Sequence, residues 1–426
     1  MFPDGRLIYR LTSGIFTAEK DGSNPTKIEA LSKYRVAPDI SADGKHLLFD
    51  FYDKDKQVSS FYDVSADGSS SREVLKSGSK SLPALVCCPR FTTDQKYLIF
   101  LGGTDDKLDL WALPYQRGIF GGSSLPVRLT SGPLSYTAFA TGRNNNQIFA
   151  IAAQRRGELV RYDPRVKQFV PFLGGISALD PTFSRDGQWV TYVSYPDASL
   201  WRSRADGSER LQLTYPPTYV NFARISPDGS RVAFSDGNGR PYVMSINGGT
   251  PQKLADFGTA PDWSPDGSAL AVTHYFANES SPSHAYYGLQ ILDSHTGKVT
   301  DVPDSKEKVG PWFISQDEII AVTQDQSKFQ IFNFKTQKWS DIISSPGQFI
   351  NWESSSDLKY FLYSSGGNNP RVFRMKIADR SIEEVLSVKD FVSVSSPAVS
   401  VSPDDWPVMT QNTGTEEVYS LTVKWQ

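Results

Sequence analysis

The stretch RISPDGSRVAFSDGNGRPYVMSINGGTPQKL, residues 224–254, decides how the chain is read. It opens on a tight turn, Ser226-Pro227-Asp228-Gly229. Pro presets φ at the first central position, Asp caps the turn with its carboxylate, and Gly accepts a positive φ. A strand of alternating character follows, then a second strand around Tyr242-Val243. The pair Gly248-Gly249 suits a tight hairpin into one more strand. A short apolar segment before the turn supplies the innermost strand, so one module holds four.

The same grammar recurs from one end of the chain to the other. Clear copies of the turn are SADG at 41–44, SRDG at 184–187 and SPDG at 264–267. Decayed copies are FPDG at 2–5, TTDQ at 92–95, SSSD at 354–357 and SPDD at 402–405, and register alone places two more near Asn144 and Gln316. The ten turns lie about 44 residues apart on average. That pitch matches a four-stranded propeller blade of ~40–45 residues and is too long for leucine-rich or ankyrin units. The third strands repeat an apolar-aromatic pair, as in Ile15-Phe16, Phe61-Tyr62, Leu110-Trp111, Leu200-Trp201 and Val418-Tyr419, expected to fill the space between blades. The first module lacks its inner strand and the last stops after its third, which leaves eight complete modules and 38 strands. The expectation is an all-β chain, a β-propeller of four-stranded antiparallel blades. It forms one domain over residues 1–426, truncated within its first module, with a ring of eight to ten blades.

Composition agrees with many strands and turns. Of 426 residues, 12% are aromatic, 32 are Gly and 27 are Pro, against only 4 Met. Aromatic and β-branched residues prefer pleated strands. The net charge of −3 lacks the basic footprint of a nucleic-acid binder, so no nucleic-acid contact is expected of this chain. No apolar run approaches the ~20 residues of a membrane span. The opening MFPDGRLIYRL does not read as a signal peptide. The only cysteines, Cys87 and Cys88, are neighbours. A disulfide wants Cα atoms about 5.5 Å apart, so no bridge is expected.

Motifs that carry chemistry are missing. There is no Gly-x-Ser-x-Gly elbow, no His-Glu-x-x-His and no Cys/His ligand spacing, so no catalytic residue, metal or cofactor is expected and the chain does not read as an enzyme. Asp43, Asp186, Asp228 and Asp266 read as structural turn residues. The best place for a ligand or partner is the long insertion FANESSPSHAYYG at 276–288, with His274 just before it and His284, Tyr286 and Tyr287 within it. Loops on a rigid scaffold often carry function. The partner is a protein or a small molecule of unspecified identity.

Residues 224–254 and PDWSPDGSALAVTHY at 261–275 resemble the TolB-type propeller repeat. Several stretches together resemble the C-terminal sensor propeller of bacterial CadC/ToxR-like winged-helix membrane regulators. These include CCPRFTTDQKYLIF (87–100), RGELVRYDPRVKQFVPFLGGISA (156–178) and NTGTEEVYSL (412–421). That resemblance implies a non-catalytic sensing or interaction propeller placed in the periplasm. DNA binding carries over to no residue, because the chain holds neither winged helix nor membrane span. Two alternatives stay open: a propeller serving an enzyme, by peptidase gating or as a channel-based lyase, and a TolB-like envelope scaffold that binds protein partners.

Overall fold

A computed structural model describes every residue except 35–37, 54–57, 79–81, 84, 105–106, 116–124, 277–285, 345–347, 395–397 and 426. The described residues form 38 strands in ten antiparallel sheets, eight with four strands and two with three. The all-β propeller architecture expected from the repeat is present. None of the described helical segments is long and apolar enough to cross a membrane.

Each module is built on its turn. In the sixth module, Ser226 Oγ donates to Asp228 Oδ1 at 2.5 Å and accepts the Arg231 N–H at 2.9 Å. Asp228 also accepts the Ser230 N–H at 3.1 Å, and Gly229 takes φ of +72°. The strand that follows, Arg231–Asp236, is buried almost throughout. Phe234 is fully buried among Val193, Leu200, Val220, Val232 and Met244, which come from two successive sheets. A buried side chain of that size contributes roughly 1.5–3 kcal/mol. Inter-sheet apolar packing therefore stacks one blade on the next.

The chain divides into two compact units where the repeat suggested one domain. Unit 1 is Met1–Arg155 with Gly414–Gln426, and unit 2 is Arg156–Thr413. Unit 2 is a closed ring. Its inner strands are Ala178–Phe183, Val220–Ile225, Thr259–Trp263, Lys308–Ser315, Phe349–Ser354 and Val399–Val401. Each contacts the next, and the last contacts the first. The ring therefore has six blades, not the eight to ten expected. The reason is the closing sheet. Gly157–Asp163 and Gln168–Pro171, from the start of the unit, pair with Pro407–Asn412 and Val399–Val401 from its end. The register sets Gly157 opposite Asn412 and Val160 opposite Met409.

Unit 1 holds the other four sheets. Its fourth joins Ser135–Thr141 and Gln147–Gln154 to Thr415–Thr422 from the far end of the chain. The fourth and tenth sequence modules thus exchange outer strands. The chain leaves unit 1 at Arg155-Arg156, after two strands of the fourth module, and returns at Thr413-Gly414, after two strands of the tenth. Val418, expected between blades, is 73% exposed because its strand forms the outer edge of a three-stranded sheet.

Four of the six inner strands of unit 2 share one irregularity. Their pairing slips between Leu179 and Thr182, Asn221 and Arg224, Thr259 and Asp262, and Val309 and Trp312. Asp180, Phe222, Ala260 and Gly310 take positive φ within these bulges. A bulge re-aims the residues that follow it.

Candidate functional site

Two chambers lie among the inner strands of unit 2. The smaller, about 70 Å³, is lined from all six inner strands, including Thr182, Arg224, Asp262, Trp312, Glu353 and Val401. It has room for about two waters. The larger, about 310 Å³, is lined by Phe222, Tyr287, Trp312, Ile350 and Trp352, with Arg224 and Asn351 among the polar groups. That volume lies at the low end of small-molecule sites, about 300–1,000 Å³. Arg224 and Trp312 line both chambers.

Arg224 is held from several sides. Its guanidinium lies 4.5 Å from the centre of the Trp312 ring, a cation–π contact. Its Nη1 donates to the Ala223 carbonyl at 2.7 Å. The Trp263 indole N–H donates to the Arg224 carbonyl at 3.0 Å. The Glu353 carboxylate stands 3.9 Å from Nη2, an ion pair without close hydrogen-bond contact. The larger chamber is fixed in the same way. Trp352 donates to the Gly310 carbonyl at 2.9 Å, and the Asn351 side-chain oxygen accepts the Val399 N–H at 2.9 Å. A Cβ at Gly310 would stand 2.4 Å from Trp352 Cζ2, so this close approach requires glycine.

Three acids surround this one arginine. Burial pushes Asp262 up to about 7, although the Phe313 N–H and Arg224 favour its charged form. Burial pushes Glu353 up to about 8, with Asp180 and Asp262 adding to the rise and Arg224 opposing it. Asp180 is raised by burial too. Desolvation penalises each carboxylate, and one guanidinium does not compensate all three. Burial thus favours the protonated form of each acid beside a fixed positive charge.

The residues singled out from sequence fall in different places. Tyr287 lines the larger chamber and lies 5.3 Å from Tyr275, ring to ring. Tyr286 stacks on Phe276 at 5.1 Å beneath Lys306. His274 meets Phe257 and Phe276 edge-on at 5.5 and 4.6 Å, and its buried Nδ1 has no hydrogen-bond partner. Neither Tyr286 nor His274 is among the residues lining the two chambers. His284 lies outside the described residues. Asp43, Asp186 and Asp266 each accept from the serine that opens their own turn, at 2.6, 2.5 and 2.7 Å, as Asp228 does. Among the described residues, no three His, Cys, Asp or Glu are grouped to hold a metal ion.

Arg224, Asp262, Trp312 and Glu353 were not legible as a site, yet the repeat marks them. Three stand two residues before the serine that opens their turn: Arg224 before Ser226, Asp262 before Ser264, and Glu353 before Ser355, because the structure opens that turn at Ser355 and not at Ser354. Thr182 and Ser400 hold the same place before Ser184 and Ser402, and Trp312 before Ile314. Reading that single column down the modules gathers five residues that line the smaller chamber, with Ser400 standing next to the sixth, Val401.

No protein-family model matches the chain. An uncharacterized protein of Agrobacterium fabrum is 32% identical over 118 residues, covering 23% of this chain and 40% of the relative. Tricorn protease homolog 1 of Streptomyces coelicolor is 30% identical over 96 residues, covering 21% of this chain and 9% of the relative. The chain therefore matches well under two thirds of either relative's length. Among solved structures it is similar to a TolB-like protein from Agrobacterium tumefaciens, with a TM-score of 0.48 and 18% identity, covering 61% of this chain and 98% of that one.

Proposed function

We propose that the chain is a non-catalytic binding propeller whose receptor site is the inner-strand cavity of unit 2. The observation that carries this reading is the larger chamber. It combines Phe222, Tyr287, Trp312 and Trp352 with a nearly buried guanidinium, on strands tied into a closed ring. Small-molecule sites have this make-up, an apolar and aromatic wall with few placed polar groups. In the fuller form of the reading, the chain is the extracytoplasmic sensor part of a CadC/ToxR-like bacterial regulator, and occupancy of the chamber is the signal. The resemblance of residues 87–100 and 156–178 supports that form.

The stretch shared with a tricorn protease homolog favours a second reading, a propeller that serves a peptidase. The coding sequence on either side of residues 1–426 separates the two. A winged helix and one apolar span of ~20 residues upstream agree with the regulator. A hydrolase domain downstream, with no such span, overturns it in favour of the peptidase. Ile350→Trp tests the receptor site itself. It fills the larger chamber and is expected to abolish the response of Trp312 and Trp352 fluorescence to added ligand. An unchanged response rejects the chamber.

A further inference from the structure

We infer that the larger chamber selects an organic anion, an apolar or aromatic body bearing one carboxylate, with Arg224 as the group that receives the carboxylate. This deepens the receptor-site reading and rests on it.

The geometry sets the chemistry. The walls offered to a ligand body are Phe222, Trp312, Ile350 and Trp352, with no charge among them. Among the described residues, Arg224 is the one charged side chain lining this chamber. Its side chain is 13% exposed, so the charge is largely withdrawn from water. It spends Nη1 on the Ala223 carbonyl, while Nη2 meets Glu353 only at 3.9 Å. A guanidinium with donors to spare, held 4.5 Å from the centre of an indole ring, matches a planar carboxylate. The contact with Trp312 and the bond to the Ala223 carbonyl hold the guanidinium in place before a ligand arrives, so less ordering remains to oppose binding.

The groups that face Arg224 from the other inner strands decide when the site is open to an anion. They are Asp180, Asp262 and Glu353, with Thr182, Trp312 and Ser400 completing the ring and Arg185 at the rim of the smaller chamber. When the acids hold their protons, Arg224 is the uncompensated charge and an anion is attracted. When they ionise, they occupy its field and repel the ligand. With Asp262 near 7 and Glu353 near 8, that change falls between about pH 6 and 9. An arriving carboxylate favours the protonated acids, so binding within this window takes up protons.

The test uses the full chain and two matched probes, naphthalene-2-acetate and its neutral amide, followed by tryptophan fluorescence and calorimetry. The acid is expected to bind more tightly than the amide at pH 6 and to weaken at least about tenfold by pH 9, while the amide is insensitive to pH. Arg224→Met is expected to weaken the acid about 10–100-fold, the range of a lost hydrogen bond to a charged group, and to leave the amide unchanged. Asp262→Asn with Glu353→Gln keeps Arg224 and is expected to hold acid binding at its pH 6 level up to pH 9. If acid and amide bind alike and Arg224→Met changes neither, anion selection is wrong while the receptor chamber stands. If neither probe binds the wild-type chain at millimolar concentration, both readings fall. A circular-dichroism spectrum matching wild type guards the Arg224→Met result. Should that variant misfold, the Asp262→Asn, Glu353→Gln pH profile decides alone.

Discussion

Asp39 in unit 1 and Asp262 in unit 2 hold the same position in their modules and perform the same backbone task. Asp39 Oδ2 accepts the N–H of Phe91 at 2.8 Å, and Asp262 Oδ2 accepts the N–H of Phe313 at 2.7 Å. Each thereby ties its inner strand to the next one. Their surroundings differ. Asp39 pairs with Arg90 at 3.2 Å in an open hollow of about 400 Å³, and the arginine side chain is half exposed. Asp262 is 8% exposed and shares Arg224 with Glu353 and Asp180. An exposed pair is solvated and contributes little either way. A buried acid without a full counter-charge keeps its proton. Enclosure by six inner strands thus turns a strand-tying aspartate into part of a charged site.

If that comparison is right, the units differ in their inner strands and not in their blade cores. Phe100 and Phe234 are both fully buried on second strands of their sheets. Phe100→Ala and Phe234→Ala are each expected to lose about 3–5 kcal/mol, read as hydrogen-exchange protection of core amides in the same unit. A loss twice as large in one unit would place the difference in the core and break the comparison.

The next effect belongs to unit 2. Asp262 and Glu353 have folded values near 7 and 8, above their ordinary values of 3.8 and 4.5. The folded state then binds more protons than the unfolded state, so stability is fully present below about pH 4 and falls as pH rises through about 8. The loss is expected to exceed about 2 kcal/mol between pH 5 and 8, read from urea unfolding of unit 2 amides. Asp262→Asn with Glu353→Gln should flatten this slope. An undiminished slope in that double variant would assign it to other groups.

Two glycines sharpen the contrast between an enclosed and an open position. Gly22 in unit 1 has φ of +84° and nothing near its missing Cβ, whereas Gly310 has φ of +59° and lies against Trp352. Gly22→Ala is expected to cost about 1–2 kcal/mol through backbone strain alone. Gly310→Ala should cost more and shift Trp352 emission as well. Equal costs with unchanged emission would mean that the chamber wall yields freely. The smallest effect is expected at the turns. Ser41→Ala and Ser226→Ala remove the same hydrogen bonds in the two units and should each lose about 1 kcal/mol by thermal unfolding.

The turns, the strand grammar and the propeller architecture were legible because they rest on local chemistry: Ser and Asp closing a turn, Gly at positive φ, apolar residues at alternate positions. Tyr287 came close to the site because a long insertion drew notice to it. The acids and Arg224 escaped notice for a physical reason. Arg224 and Glu353 are 129 positions apart, and what they do depends on burial, which no single module displays. The pairing at Gly157–Asp163 was equally hidden.

Residue by residue, the amino-acid sequence determined ten modules, the chemistry of their turns and, Val418 apart, side chains that pack between blades. Only the tertiary structure decided which strand pairs with which at Arg155-Arg156 and Thr413-Gly414, and so that six blades close into a ring. Strand pairing is made by backbone N–H and C=O groups that every residue carries, so the alternation in GELVRYD fits either neighbour. The choice falls to the packing of whole sheets, and that packing places one arginine among two buried acids and a half-buried third.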